Sequence, residues 1–124
     1  MSLAAWLAFL AGGAIGAPSR YLLDGYIQSN TEGAYPWGTI TINAAGSFIL
    51  GILTGLTLEH RLSPTAEIVL GTGLCGAFTT FSTFAFETVR LAEEGATNAA
   101  FRNIATNVVV GTVLAGVALA VTLH

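Results

Sequence analysis

Glycines, hydroxyls and phenyl rings crowd the run Gly73-Leu74-Cys75-Gly76-Ala77-Phe78-Thr79-Thr80-Phe81-Ser82-Thr83-Phe84, in the middle of an apolar segment of membrane-crossing length. Lipid offers no hydrogen-bond partners. Backbone that leaves the helical pattern at that depth must be satisfied by other protein or by a water-filled cavity. The run is therefore expected to sit inside a helix bundle and to mark the place where ions are handled.

The rest of the chain fits that frame. Of 124 residues, 53% are hydrophobic and 9% charged, too apolar a balance for an ordinary water-exposed surface. A spanning helix needs roughly 20 apolar residues. Four such stretches are present, Ala4 to Leu23, Trp37 to Leu58, Ile68 to Leu91 and Ala99 to Leu123, and little sequence remains between them. The fold class expected is an all-α membrane protein, residues 1–124 forming one four-helix transmembrane domain with no catalytic module. The first stretch lacks a basic leader and runs on through Arg20 into a polar loop, so it reads as a retained helix rather than a signal peptide. Net charge is −3 with no basic patch, which argues against nucleic-acid binding. The single Cys75 excludes an intramolecular disulfide and reads as a small core residue. His60 and His124 read as loop and terminal residues without a role.

The chain has no lysine, and its four arginines divide as Arg20, Arg90 and Arg102 on one side of a four-helix topology against Arg61 on the other. That bias is compatible with both termini outside, or with insertion in both orientations. Small residues recur at helical spacing: Gly12 and Gly16 with Arg20 a turn later, then Ser47, Gly51 and Gly55. Each set shares a face, as surfaces for close transmembrane packing do. Pro18 is a candidate bend in the first helix.

Packing alone does not call for the polar residues of the second and fourth helices. Thr39, Asn43 and Ser47 step along one face behind Pro36-Trp37-Gly38, while Asn103, Asn107 and Gly111 form a matching stripe. Two readings of Asn43 stand side by side, an interhelical hydrogen bond of about 0.6 to 2 kcal/mol and an amide N–H donor to a permeating anion. Arg102 reads as a charge snorkelling at its helix end, and Glu87 is placed to pair with Arg90 three residues on. In the third helix, Gly73 and Gly76 weaken the helix and the Thr79-Thr80 hydroxyls compete for backbone groups, so a local break is expected. A break frees carbonyl oxygens of the kind that coordinate alkali cations. Phe81 and Phe84 share a face; they serve as core packing or present their electropositive ring edges to an anion.

Gly16-Ala17-Pro18-Ser19-Arg20-Tyr21, Pro36-Trp37-Gly38-Thr39 leading to Asn43 and Gly46-Ser47-Phe48, and above all Thr79-Thr80-Phe81-Ser82-Thr83-Phe84 resemble the Fluc (CrcB) family of fluoride channels. The likeness covers the whole chain. It implies an antiparallel, dual-topology dimer of four-helix subunits, two fluoride pathways and a structural sodium ion on the dimer axis. It implies passive fluoride efflux across a prokaryotic plasma or inner membrane, giving fluoride resistance, rather than an enzyme activity. By the likeness Phe81 and Phe84 are the aromatic box and Asn43 the pore donor. Ser82, Thr83, Glu87 and Asn107 are polar positions of the pore, Asn103 continues the fourth-helix track, and Arg20 is structural. The backbone carbonyls of Gly76 and Thr79 are the implied sodium ligands, with Ala77 standing where the family often has a second glycine. Homodimer is the expected partner state, with a heterodimer of homologous subunits as the alternative. A small proton-coupled multidrug exporter also uses four helices, but needs a membrane-embedded carboxylate; the first helix has none before Asp24, and Glu87 lies near the end of the third. A noncatalytic membrane assembly subunit would explain the small faces but not the grouping of Asn43, Phe81 and Phe84.

Overall fold

The computed structural model describes residues 1–123, so His124 lies outside the described residues. Among them every regular element is helical: α1 (Leu3–Ser29), α2 (Trp37–Leu58), α3 (Pro64–Glu67), a π-helical stretch Ile68–Cys75, α4 (Gly76–Phe78), α5 (Ser82–Glu93) and α6 (Thr97–Thr122). The composite Pro64–Glu93 segment, α2 and α6 are each long and apolar enough to cross a membrane. α1 is a fourth helix of 27 residues, about 40 Å at 1.5 Å per residue. Its second half carries Pro18, Arg20 and Asp24, so of the four expected spans it is the one not apolar enough by composition. Pro18 is accommodated within α1, which runs unbroken from Leu3 to Ser29.

The small faces read from the sequence are where the helices meet. A Cβ on Gly16 of α1 would collide with Leu74 O, and one on Gly12 would stand 3.2 Å from Leu74 N and Val69 O. On the other side of the bundle a Cβ on Gly51 would lie 2.5 Å from Ala115 O and 2.9 Å from the Ala118 methyl. α1 thus packs on the π-helical stretch and α2 on α6 almost backbone to backbone, the arrangement that van der Waals attraction favours where lipid provides no hydrophobic drive. Large apolar side chains point the other way: Leu7, Leu10, Ile15, Val109, Val113 and Val121 are exposed. An apolar exterior around a small-residue interior is the reverse of a water-soluble helix bundle and suits a lipid surround.

Two helix ends show how the connections are set. At the end of α5, Gly95 N donates to Ala92 O and Ala96 N to Leu91 O, with Gly95 left-handed at φ 83°. At the end of α2 the same pattern recurs, His60 N to Thr57 O and Arg61 N to Leu56 O, but the left-handed residue is His60, φ 58°. A side chain in that conformation is strained by about 1 kcal/mol relative to glycine. His60→Gly is expected to raise stability by about that amount, read as a shifted midpoint in reversible denaturation from detergent micelles. A lowered midpoint would show that the His60 side chain makes a stabilising interaction.

The loop from α1 to α2 is pinned by Gln28, whose amide donates to Tyr35 O at 2.9 Å and accepts from Gly38 N at 3.2 Å. Tyr35 meets Trp37 edge-on at 5.0 Å between ring centres. Arg102 lies over the Tyr35 ring at 4.7 Å, so it is held by an aromatic face rather than only extended along its helix. Arg90 pairs with Glu94 at 3.1 Å, not with Glu87. Both partners are exposed, and the pair contributes little stability.

Candidate ion-handling site

The site forms at the junction between α4 and α5. Up to Thr79 the chain is helical in its bonding: Thr79 N and Thr79 Oγ1 both donate to Cys75 O, each at 2.9 Å. Thr79 itself then turns extended, φ −80° and ψ 162°, and regular helix resumes at Ser82. Two amides are diverted in the process. Thr80 N, which a continuous helix would send to Gly76 O, donates to Asn43 Oδ1 at 2.9 Å. Thr83 N, which would go to Thr79 O, donates to Thr80 Oγ1 at 3.1 Å. The Thr80 hydroxyl therefore caps the resumed helix, as threonine does at helix starts, and donates to Thr83 Oγ1 at 3.1 Å.

Asn43 does more than accept one bond. Its Nδ2 donates back to Thr80 O at 3.0 Å, so a single carboxamide on α2 holds both polar groups of the Thr80 backbone. Its other N–H reaches Asn107 Oδ1 at 3.4 Å, a long contact. Asn107 Nδ2 in turn donates to Asn103 O and Asn103 Oδ1, both at 2.9 Å. The interhelical hydrogen bond is thus present at Asn43, and it reaches both the third segment and α6.

Around this junction opens a cavity of about 460 Å³ whose lining includes Asn43, Ser47, Cys75, Gly76, Thr79, Thr80, Phe81, Phe84 and Asn107. The Phe81 and Phe84 rings stand edge to face, 5.7 Å between centres and 60° between planes. Phe81 is 78% exposed, so the cavity's aromatic wall is open on one side. Ser82 is exposed and contacts Thr80 Oγ1 at 3.4 Å. Of the residues singled out by sequence, Asn43, Phe81, Phe84, Asn107, Gly76 and Thr79 line one cavity; Ser82 and Thr83 attach to it through Thr80.

Glu87 lies elsewhere. It borders a second cavity of about 270 Å³ with Gln28, Gly33, Ala34, Arg90, Leu91 and Glu94. Five buried polar atoms have no hydrogen-bond partner among the described residues: Arg20 Nε, Asp24 Oδ1, Tyr35 Oη, Thr39 Oγ1 and Glu87 Oε1. Thr39 is only 1% exposed. Asp24 Oδ1 sits against Gly38, where a Cβ would collide with it. The sequence reading missed Thr80 as the anchored residue. The threonine three positions before Thr83, ahead of a resumed helix, was the available signal. Thr72, Gly46 and Leu50 of the cavity lining carry no chemical signal of their own.

The fold and this site define a polytopic membrane protein with a cavity open on one side, carrying amide and hydroxyl groups, built around a helix junction. Residues 7–119 match the family model described as CrcB-like protein, Camphor Resistance (CrcB). The chain belongs to that family. It is 47% identical over 106 residues to the fluoride-specific ion channel FluC 1 of Streptomyces avermitilis, covering 86% of each chain. It is 43% identical over 122 residues to the protein of the same name in Frankia casuarinae, 93% of this chain and 95% of that one. It is also 46% identical over 99 residues to the fluoride-specific ion channel FluC of Idiomarina loihiensis, covering 80% of this chain and 77% of that one.

Proposed function

We propose that the chain forms a fluoride-selective channel that lets fluoride leave the cell passively and so lowers its cytoplasmic concentration. The observation that supports this reading is the cavity at the α4–α5 junction, lined together by the Asn43 and Asn107 amides, the Thr79 and Thr80 hydroxyl residues and the Phe81 and Phe84 rings, in a chain whose relatives bear the name of fluoride-specific ion channels. Fluoride holds its water tightly, so a pathway must replace that shell with fixed donors yet bind weakly enough for exit. The Asn43 N–H turned toward Asn107 is one such donor; the Phe81 and Phe84 edges are others, electropositive without carrying a full charge. A narrow path would exclude chloride by size. Ser82, Thr83 and Asn107 extend the polar surface. Glu87, on the second cavity, is proposed as a polar position near the pathway, and Arg20 as a structural residue of α1.

On this reading the third segment is a transmembrane helix broken at mid-membrane around Thr79, and two copies insert antiparallel in dual topology. The exposed Phe81 ring supports a pore wall completed by a second subunit. A homodimer is the proposed state and a heterodimer the alternative. The donor set at the break suits a structural sodium ion on the dimer axis. Because Thr80 N and Thr83 N are diverted to side-chain oxygens, the carbonyls of Gly76 and Thr79 lose the donors that a continuous helix would give them. Hard carbonyl oxygens of this kind suit an alkali cation, and when bound it would supply positive charge near the anion path. No specific observation favours the proton-coupled exporter.

The test is ion efflux from liposomes holding the purified chain alone, followed with fluoride and chloride electrodes in parallel. Fluoride loss without chloride loss is expected. Silent liposomes that respond once a homologous subunit is co-reconstituted would move the proposal to a heterodimer, and silence in both cases would overturn it.

A further inference from the structure

Asn103 is fully buried at 0% exposure and lines neither cavity, yet every polar atom of its side chain is engaged. Its Nδ2 donates to Thr88 Oγ1 at 2.9 Å, and its Oδ1 accepts from Asn107 Nδ2 at 2.9 Å. Thr88 Oγ1 donates onward to Phe84 O at 2.8 Å. At the other end Asn107 Oδ1 accepts from Asn43, which grips Thr80 N and Thr80 O. The bonds form one continuous strap from Phe84 O through Thr88, Asn103, Asn107 and Asn43 to Thr80. Its two ends fasten the same stretch of chain, residues 80–84, which carries both phenyl rings and the cap of α5. The polarity of the strap is fixed along its length, because each amide oxygen meets an N–H and each amide nitrogen meets an oxygen. A buried asparagine that loses such a partner leaves its neighbour unsatisfied at a cost of about 1–3 kcal/mol, which keeps each amide from turning over.

We propose that Asn103 and Thr88 are positioning residues, which reach no permeating ion themselves but hold the Thr80–Phe84 stretch, and with it the Asn43 amide, in the orientation the pathway uses. The proposal rests on the channel reading. It also accounts for a polar, fully buried α6 residue that the cavity does not use. The strap makes the Asn43 to Asn107 bond, at 3.4 Å the longest of its amide links, the one an anion displaces: Asn107 is held from behind by Asn103, and Asn43 is held by Thr80, so the N–H between them can exchange Asn107 Oδ1 for the ion without either side chain turning.

The experiment compares wild type with Thr88→Val, which keeps the side-chain shape and removes the hydroxyl, with Asn103→Leu, and with the double variant, all as assembled protein. Two readouts are taken, fluoride and chloride efflux from liposomes and hydrogen–deuterium exchange of the amides from Thr80 to Thr88. The strap predicts a tenfold or greater loss of fluoride flux in Thr88→Val, a lowered fluoride-to-chloride ratio, and at least tenfold faster exchange at Thr80 and Thr83. The double variant is expected to lose no more than the worse single one, since both cut the same strap. If Asn103→Leu does not assemble, Thr88→Val carries the test on its own. Wild-type flux and ratio retained in Thr88→Val with unchanged exchange would overturn the strap. Absent flux in wild type, both alone and with a homologous subunit co-reconstituted, would overturn the channel reading instead, and the exchange result would then still decide whether the strap exists.

Discussion

Asn43→Leu is expected to cut fluoride efflux from liposomes by at least a hundredfold while leaving the assembled protein intact by size. The change is close to isosteric, so packing between α2, α6 and the third segment survives. What it removes is the partner of Thr80 N and of Thr80 O together, along with the N–H that faces Asn107. A backbone group that loses its partner and is not reached by water costs about 1–3 kcal/mol, and lipid supplies no replacement partner. The Thr80 peptide would be free to swing back toward a continuous helix, closing the cavity and returning Thr80 N to Gly76 O. Asn43→Asp separates two roles. The carboxylate still accepts from Thr80 N but can donate neither to Thr80 O nor to an anion, and its charge repels one. Loss of flux in both variants is the expected result. Flux equal to wild type in both would remove Asn43 from the pathway.

Phe81→Ile is expected to cause an equally large loss by a different route. The Phe81 side chain makes no hydrogen bond at the junction, so the clamp on Thr80 should persist and amide exchange at Thr80 should stay slow. Isoleucine keeps apolar bulk but has no ring edge, and with it goes the electropositive rim that the proposed reading assigns to Phe81 beside Phe84. Because Phe81 is largely exposed, the substitution creates no cavity within the subunit. Electrode-recorded efflux from liposomes checks it. Undiminished fluoride flux in Phe81→Ile would mean that the two rings are packing alone, the other reading their spacing permitted.

The paired behaviour of the two variants separates architecture from recognition. Asn43→Leu should disturb both exchange and flux, since the amide holds the junction and, on the proposed reading, also faces the path. Phe81→Ile should disturb flux only. A channel in which both variants loosened the junction equally would place the rings in the strap's structural role.

The sequence by itself determined that the chain is helical and membrane-embedded, because apolar length and scarcity of charge are properties of composition and need no partner to be read. It also determined which faces pack closely, since Gly12, Gly16, Gly51 and Gly55 act through what they lack, and helical spacing alone groups them. The motif from Thr79 to Phe84 pointed to the site for a related reason, that lipid penalises polar residues and weakened helix wherever they fall. Other features depended on how the helices assemble. Whether Asn43 bonds across helices or stands ready for an ion could not be chosen from spacing, and the fold gives it both a peptide to hold and a remaining N–H. Arg90 took Glu94 rather than Glu87, and Arg102 took the Tyr35 ring, because side-chain partners depend on what another element brings within reach. Thr80 became the anchored residue only once α2 placed an amide beside it and α6 placed two more behind that one. Hydrogen bonds are short-ranged and directional, so their pairing across 37 or 64 residues is decided by tertiary structure.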